Sequence, residues 1–311
     1  MAEEWDVIVI GGGPAGLGAA LYTARAMMRT VVFEKTVIGG QLAEAYEVDN
    51  YLGFDQGVLG ADLVDKMRAH VEKFGARIVN AEVSDVGLDD RMKIVVTSEG
   101  EHRAPIVVCA AGASHRKLDV PGEDRLAGAG VSYCATCDGA FFKGMDLVVV
   151  GGGDAALTEL AFLTRFARSI ALIHRRQQFR AEAVHVAEVR KHKNVRFVLD
   201  TVVREVLGDK HVEGVAIENV KTGRKDRIDC RGVFVFVGHE PNTHFLKTVL
   251  PQYAGCIVPT DMNMETEIKG LYAVGDVRKG SYRQAATAVA DGATAAMHAE
   301  RRIEMLRQGS H

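Results

Sequence analysis

Short apolar runs, each closed by glycine or by a charged residue and followed by a helical period, recur along this chain. Val7-Ile8-Val9-Ile10 has no polar alternation and so fits a buried parallel strand; it leads into Gly11-Gly12-Gly13-Pro14-Ala15-Gly16 and a helical pattern through Met27. A second apolar run, Thr30 to Phe33, ends at Glu34. The pattern predicts a helix from Gly60 to Phe74 and short strands over Ala76 to Val79, Val83 to Val86, Lys93 to Thr97 and Pro105 to Val108. The small residues Ala110-Ala111-Gly112-Ala113, then His115-Arg116-Lys117 and Pro121-Gly122, mark a crossing between domains.

The opening pattern returns 140 residues later, in Asp146-Leu147-Val148-Val149-Val150-Gly151-Gly152-Gly153-Asp154-Ala155-Ala156. Strand, glycine turn and helix in that order form a mononucleotide-binding unit: the first glycine permits the tight turn, the second admits a pyrophosphate, and the third packs helix on strand. Ala156 stands where the first unit has Gly16. In the first unit Glu34 is placed to accept hydrogen bonds from a ribose diol. Its counterpart in the second unit, after the strand predicted from Ser169 to Ile173, is His174, followed by Arg175 and Arg176, with Arg180 beyond. A carboxylate at that place repels a 2′-phosphate, whereas guanidinium groups bind one in a forked, charge-assisted way, so the second nucleotide is expected to be NADPH. The alternative is that Arg175, Arg176, Arg180, Arg190, Lys191 and Lys193 make up a solvated basic face.

Strands covering the second unit are predicted from Val195 to Val206, Val212 to Val220 and Arg227 to Val237, and Gly238 to Asn242 starts the crossing back. His239, alone in a turn, reads as structural. After a hairpin-like segment around Ala254 to Pro259, the strand Gly270 to Val274 ends in Gly275-Asp276, and Tyr282-Arg283-Gln284-Ala285-Ala286 opens a long helix reaching about Arg302. The fold class is therefore α/β, with two Rossmann-like dinucleotide-binding domains, the second inserted in the first: residues 1–116 and 245–311 flank an insert at 117–244.

Length and charge narrow the possibilities. At 311 residues the chain is large enough for two cores, and a formal net charge of -3 gives no case for nucleic acid or an anionic membrane. The acidic start, Met1 to Asp6, lacks a signal-peptide pattern and no apolar run approaches a membrane span, so the expected location is cytoplasmic. Five cysteines do not suggest a secreted disulfide framework.

Only one pair of cysteines is closely spaced, in Ser132-Tyr133-Cys134-Ala135-Thr136-Cys137-Asp138-Gly139. Two thiols separated by two residues can close a small ring and act as a redox switch. The competing reading is half of a zinc site, against which Cys109, Cys230 and Cys256 stand alone in sequence. Asp138 either moves protons for the pair or belongs to a turn.

Taken together, Gly11 to Gly16, Gly39-Gly40-Gln41-Leu42, Cys134 to Gly139, Gly151 to Ala156, His174-Arg175-Arg176, Gly275-Asp276-Val277 and Arg283-Gln284-Ala285 resemble low-molecular-weight thioredoxin reductases over nearly the whole length. The resemblance implies FAD in the first site, contacted at Gly11, Gly13, Pro14, Ala15, Gly16, Glu34, Lys35, Gly40, Gln41, Leu42, Asn50, Gly112, Gly275, Asp276, Arg283, Gln284 and Ala285. It implies NADPH in the second, at Gly151, Gly153, Asp154, Ala155, Ala156, His174, Arg175, Arg176 and Arg180. It further implies a homodimer that reduces thioredoxin, with Cys134, Cys137 and the acid/base Asp138 as catalytic residues and a swivel between domains at the two crossings. Phe141 and Phe142 then become either an apolar contact for thioredoxin or core. Where relatives often carry a basic residue before Gly130, this chain has Ala129. A dithiol oxidase of the same fold and a redox-sensing protein that binds both nucleotides without turnover are the rival readings; His174, Arg175 and Arg176 oppose the first.

Overall fold

Val7–Ile10, Ile106–Cys109 and Leu271–Ala273 are buried at every position, and they lie side by side in a five-stranded parallel sheet. The computed structural model describes residues 2–45, 47–250 and 261–308. The order across this sheet is Leu271–Ala273, Ile106–Cys109, Val7–Ile10, Thr30–Glu34, Arg77–Asn80. The strands lack alternation because both faces are covered. Val7, Val9, Val32, Ile106 and Val108 pack on the helices Pro14–Arg25 and Ala285–Arg307. Ile8, Ile10, Val31, Phe33 and Val107 face the opposite way, onto Val83, Val86, Val95 and Ala104 of a second, four-stranded sheet.

The chain divides into two compact units, between Ser114 and His115 and between His239 and Glu240, so that residues 115–239 are inserted into the first unit. The inserted unit repeats the first unit's plan. Its parallel sheet runs Val131–Ser132, Gly232–Phe236, Asp146–Gly151, Ser169–Ile173, Val195–Val198; the last four strands follow the same succession as in the first unit, while the edge strand comes from before the other four in sequence instead of from after them. Leu147, Val149, Ile170 and Leu172 pack on the helix Asp154–Leu163, while Val148, Val150, Ala171 and Ile173 face an antiparallel sheet of three strands.

Two expected strands are divided and one strand is added. Val195 to Val206 breaks at Asp200, whose φ of 51 turns the chain, so that Val195–Val198 joins the parallel sheet and Thr201–Leu207 starts the antiparallel one. Arg227 to Val237 likewise divides into Lys225–Asp229 and Gly232–Phe236. In the first unit, the strand Gly100–Ala104 completes a hairpin that the apolar pattern missed, because only alternate residues of it are buried. The hairpin-like segment expected over 254–259, with Cys256, lies outside the described residues. The two crossings, Ala113–His115 and His239–Pro241, pair with each other as a two-stranded ribbon. Among the described residues no helix is long and apolar enough to cross a membrane.

One buried charge is expected to make stability depend on pH. Lys93 is 4% exposed, its Nζ donates to Pro105 O at 2.8 Å, and burial, aided by Arg302 and opposed by Glu265, lowers its pKa to about 8. Between pH 8 and the ordinary lysine value the unfolded chain keeps a proton that the folded chain has lost, so stability rises with pH there, by about 3 kcal/mol over the window. Lys93→Met is expected to remove that rise, which unfolding free energies of the variant and parent across the same pH range would show.

Candidate active site

Each nucleotide turn follows the carboxyl end of a parallel strand, which is where such sheets bind ligands. The helix Pro14–Arg25 starts after Gly13 with no side-chain cap, and Asp154–Leu163 starts after Gly153 in the same way. The first amides of both helices are thus left for an anion. A Cβ at Gly16 would lie 1.9 Å from Gly11 O, which forbids any side chain there. At Gly13 it would meet nothing closer than Gly39 O at 3.9 Å, and at Gly153 nothing within 4 Å. The turns are closed by protein at one glycine and open at another, as a pyrophosphate requires.

In the first unit the expected residues gather at the ends of four adjacent strands. Glu34 is buried, its Oε2 accepting Gly12 N–H at 2.8 Å and its Oε1 accepting the Thr36 N–H at 2.9 Å. This fixes the carboxylate beside the glycine turn. Gln41 Nε2 donates to Ala113 O at 2.7 Å, and Asn50 Nδ2 donates to Gln284 Oε1 at 3.2 Å, drawing distant loops together. Lys35 is exposed. Gly275, at φ 70, packs on Ala15 and so brings Asp276 to the start of the first helix. Burial raises the Asp276 pKa, opposed by a 3.0 Å bond from the Ser281 hydroxyl. Arg283 has a left-handed φ of 55 and a buried Nε with no hydrogen-bond partner. An orphaned buried guanidinium nitrogen fits a bound polar cofactor. A small cavity of about 60 Å³ continues the site past Glu34 and Lys35 to Glu82, Val83, Asn242, His244 and Phe245. These five carry no motif; only their place after strand ends or at a crossing marks them.

Asp291, in the middle of the long helix, was also silent in the sequence. It is 6% exposed; its Oδ2 accepts Gly275 N–H at 3.0 Å and Arg278 Nε at 2.6 Å, and its Oδ1 accepts Arg278 Nη2 at 2.9 Å. Forked pairing of this kind holds geometry as well as charge. Asp291→Asn is expected to loosen the Gly275 turn and to weaken flavin retention about tenfold, read from the fluorescence of released flavin.

In the inserted unit Arg175, Arg176 and Arg180 are exposed after the strand Ser169–Ile173, with Arg180 N–H donating to Gly152 O at 2.8 Å. His174 turns the other way. Its ring is buried, stacks on Phe179 at 5.0 Å, and sits where a Cβ on Gly152 would come within 2.3 Å. Its Nε2 lies 3.1 Å from Gln178 O, and burial lowers its pKa. The imidazole therefore props the glycine turn, leaving the exposed charge to the arginines. Asp154 Oδ1 accepts Glu182 N–H at 2.7 Å, which ties the loop after Arg180 to the helix start.

The redox stretch lies at the carboxyl end of the edge strand Val131–Ser132 of this same sheet. Cys134 and Cys137 form a disulfide across the start of the short helix Ala135–Asp138, and Cys137 N–H donates to Cys134 Sγ at 3.1 Å. Cys134, Cys137 and Asp138 are half-buried. Disulfide sulfurs offer no thiolate to zinc, and among the described residues no three His, Cys, Asp or Glu gather to hold a metal. Cys109 and Cys230 are buried thiols pushed up to about 12, which makes them poor nucleophiles. The preceding loop is tied down by Glu123, 1% exposed, which accepts the N–H groups of Leu118 and Asp119, each at 2.9 Å, and the Tyr133 hydroxyl at 2.9 Å. Phe141 is 49% exposed, whereas Phe142 packs edge-on against Phe234. His239 lies against His115, which stacks on Tyr133.

Two dinucleotide folds on one chain and a dithiol at the edge of one of them define a class, and the chain belongs to the pyridine nucleotide-disulphide oxidoreductase family, whose pattern matches residues 5–292. Its relatives within that class carry a narrower description. A thioredoxin reductase of Mycolicibacterium smegmatis is 43% identical, over 95% of this chain and 96% of its own. A bifunctional thioredoxin reductase/thioredoxin of Mycobacterium leprae is 44% identical, over 95% of this chain and 65% of its own length. Among solved structures, thioredoxin reductase from Streptococcus pyogenes superposes with a TM-score of 0.92 at 39% identity, covering 98% of this chain and 99% of that one.

Proposed function

We propose that this protein is an NADPH-dependent thioredoxin-disulfide reductase, and the observation that carries the reading is the Cys134–Cys137 disulfide on a sheet that also bears a nucleotide turn flanked by Arg175 and Arg176. FAD held by the first unit would supply the two-electron link between NADPH and the Cys134–Cys137 disulfide.

The chain's own residues do the rest. In the first unit the open turn at Gly13 and the free amides of the helix after it receive the FAD pyrophosphate. Glu34 accepts from the ribose, and Gly275, Asp276, Arg283 and Gln284 border the remainder of the cofactor. In the inserted unit Gly151, Gly153 and Ala156 seat the second pyrophosphate, while Arg175 and Arg176, with Arg180, hold the 2′-phosphate. Two electrons and two protons convert the Cys134–Cys137 bond to two thiols, with Asp138 as the proton carrier. One sulfur, as thiolate, then attacks the thioredoxin disulfide; a mixed disulfide forms, and the second sulfur resolves it, restoring the Cys134–Cys137 bond and releasing reduced thioredoxin. The bifunctional relative, with a thioredoxin on the same polypeptide, supports that choice of partner. The working form in this reading is a homodimer.

The test is NADPH oxidation by the purified flavoprotein with thioredoxin added. Consumption that depends on thioredoxin is expected; flavin reduction without thioredoxin-dependent turnover would leave a nucleotide-binding sensor, and a flavin that NADPH does not reduce would favour a dithiol oxidase.

A further inference from the structure

Besides the disulfide and the backbone bond from Asp138 N–H to Cys134 O at 3.2 Å, a side-chain hydroxyl ties the redox loop. Ser132, the last residue of the edge strand, is 4% exposed and paired in register with Phe234, so its backbone is fixed by the sheet. Its Oγ accepts Cys134 N–H at 3.1 Å and donates to Asp138 Oδ2 at 2.6 Å. Cys134 O lies 3.2 Å away as a second acceptor, but a hydroxyl has one proton, and the shorter bond to a carboxylate takes it.

We propose that Ser132 is a positioning residue of the reaction, a hydroxyl bridge that holds the Asp138 carboxylate to the Cys134 backbone when the covalent tie between the sulfurs is cut. The inference rests on the reading of Cys134 and Cys137 as the redox pair. Reduction consumes two electrons and two protons and breaks the only covalent link across the loop. The loop then has to stay closed while a proton reaches a sulfur, and a bond that spans Cys134 to Asp138 without using either sulfur survives that step. One hydroxyl between the two groups places the carboxylate oxygen two hydrogen bonds from the Cys134 nitrogen in both redox states.

The test uses the holoenzyme with Ser132→Ala, Ser132→Thr and Asp138→Asn, alone and combined. Ser132→Ala is expected to lower kcat with thioredoxin about tenfold, while KM for NADPH and the rate of flavin reduction by NADPH stay unchanged. Ser132→Thr, which keeps the hydroxyl, is expected to restore most of the loss. In the Asp138→Asn background the further effect of Ser132→Ala is expected to shrink to less than twofold, because the two residues act as a unit. Wild-type kcat in Ser132→Ala, fully additive effects in the double variant, or failure of threonine to restore turnover would each overturn the proposal. Cys134→Ser serves as the separate control: thioredoxin turnover surviving that change would remove the redox-pair reading itself, whatever Ser132 does.

Discussion

Replacing Cys137 by serine is expected to lower thioredoxin-dependent turnover by about 10⁴-fold or more, with NADPH still bleaching the flavin at the parental rate. A serine hydroxyl cannot form the Cys134–Cys137 bond, so the electron pair has no acceptor in the inserted unit. Cys109 and Cys230 cannot substitute, being buried thiols raised to about 12. Cys134→Ser is expected to behave the same way in steady state. Rapid mixing with NADPH separates the half-reactions: bleaching followed by no thioredoxin reduction is the expected trace. Parental turnover in either variant would refute the dithiol route.

Replacing Arg175 and Arg176 together by glutamine is expected to raise KM for NADPH roughly a thousandfold and to leave NADH usage nearly unchanged. Charge-assisted bonds to a phosphate are each worth about 1.5–3 kcal/mol, so two lost guanidinium contacts account for that factor. The comparison with NADH isolates the 2′-phosphate, since everything else in the nucleotide is shared. His174→Gln should act differently. Its ring packs beneath Gly152 and stacks on Phe179, so the expected change is a weaker grip on both nucleotides rather than a change of preference.

His174 also marks how far the chain could be read without its structure. An offset of 140 residues places it opposite Glu34; Glu34 closes the strand Thr30–Glu34, and His174 directly follows the equivalent strand Ser169–Ile173. Register fixes where a residue stands along a strand; it does not fix which way the side chain turns. That depends on whether Gly152 leaves room for an imidazole, a contact 22 residues away. The glycine turns and buried runs were legible because each is local and its physics is contained in a few consecutive residues. Ser132, Glu123 and Asp291 were not, since their roles come from partners supplied by other turns of the fold: Asp138 and Cys134, the loop amides and Tyr133, and Arg278 with Gly275. The break at Asp200 was hidden for a related reason. A left-handed residue inside an apolar stretch interrupts a strand without interrupting its hydrophobicity.

The paired crossings have a practical corollary. Polypeptide enters the insert at His115 and departs at His239 through adjacent members of one ribbon, so the two cut points are about 5 Å apart, one interstrand spacing. A segment whose ends meet can be excised as a gene fragment and expressed alone, and its host can be sealed across the gap with a link of a few residues. The inserted unit of this chain is for that reason a natural cassette for grafting, exchangeable between hosts without lengthening either chain.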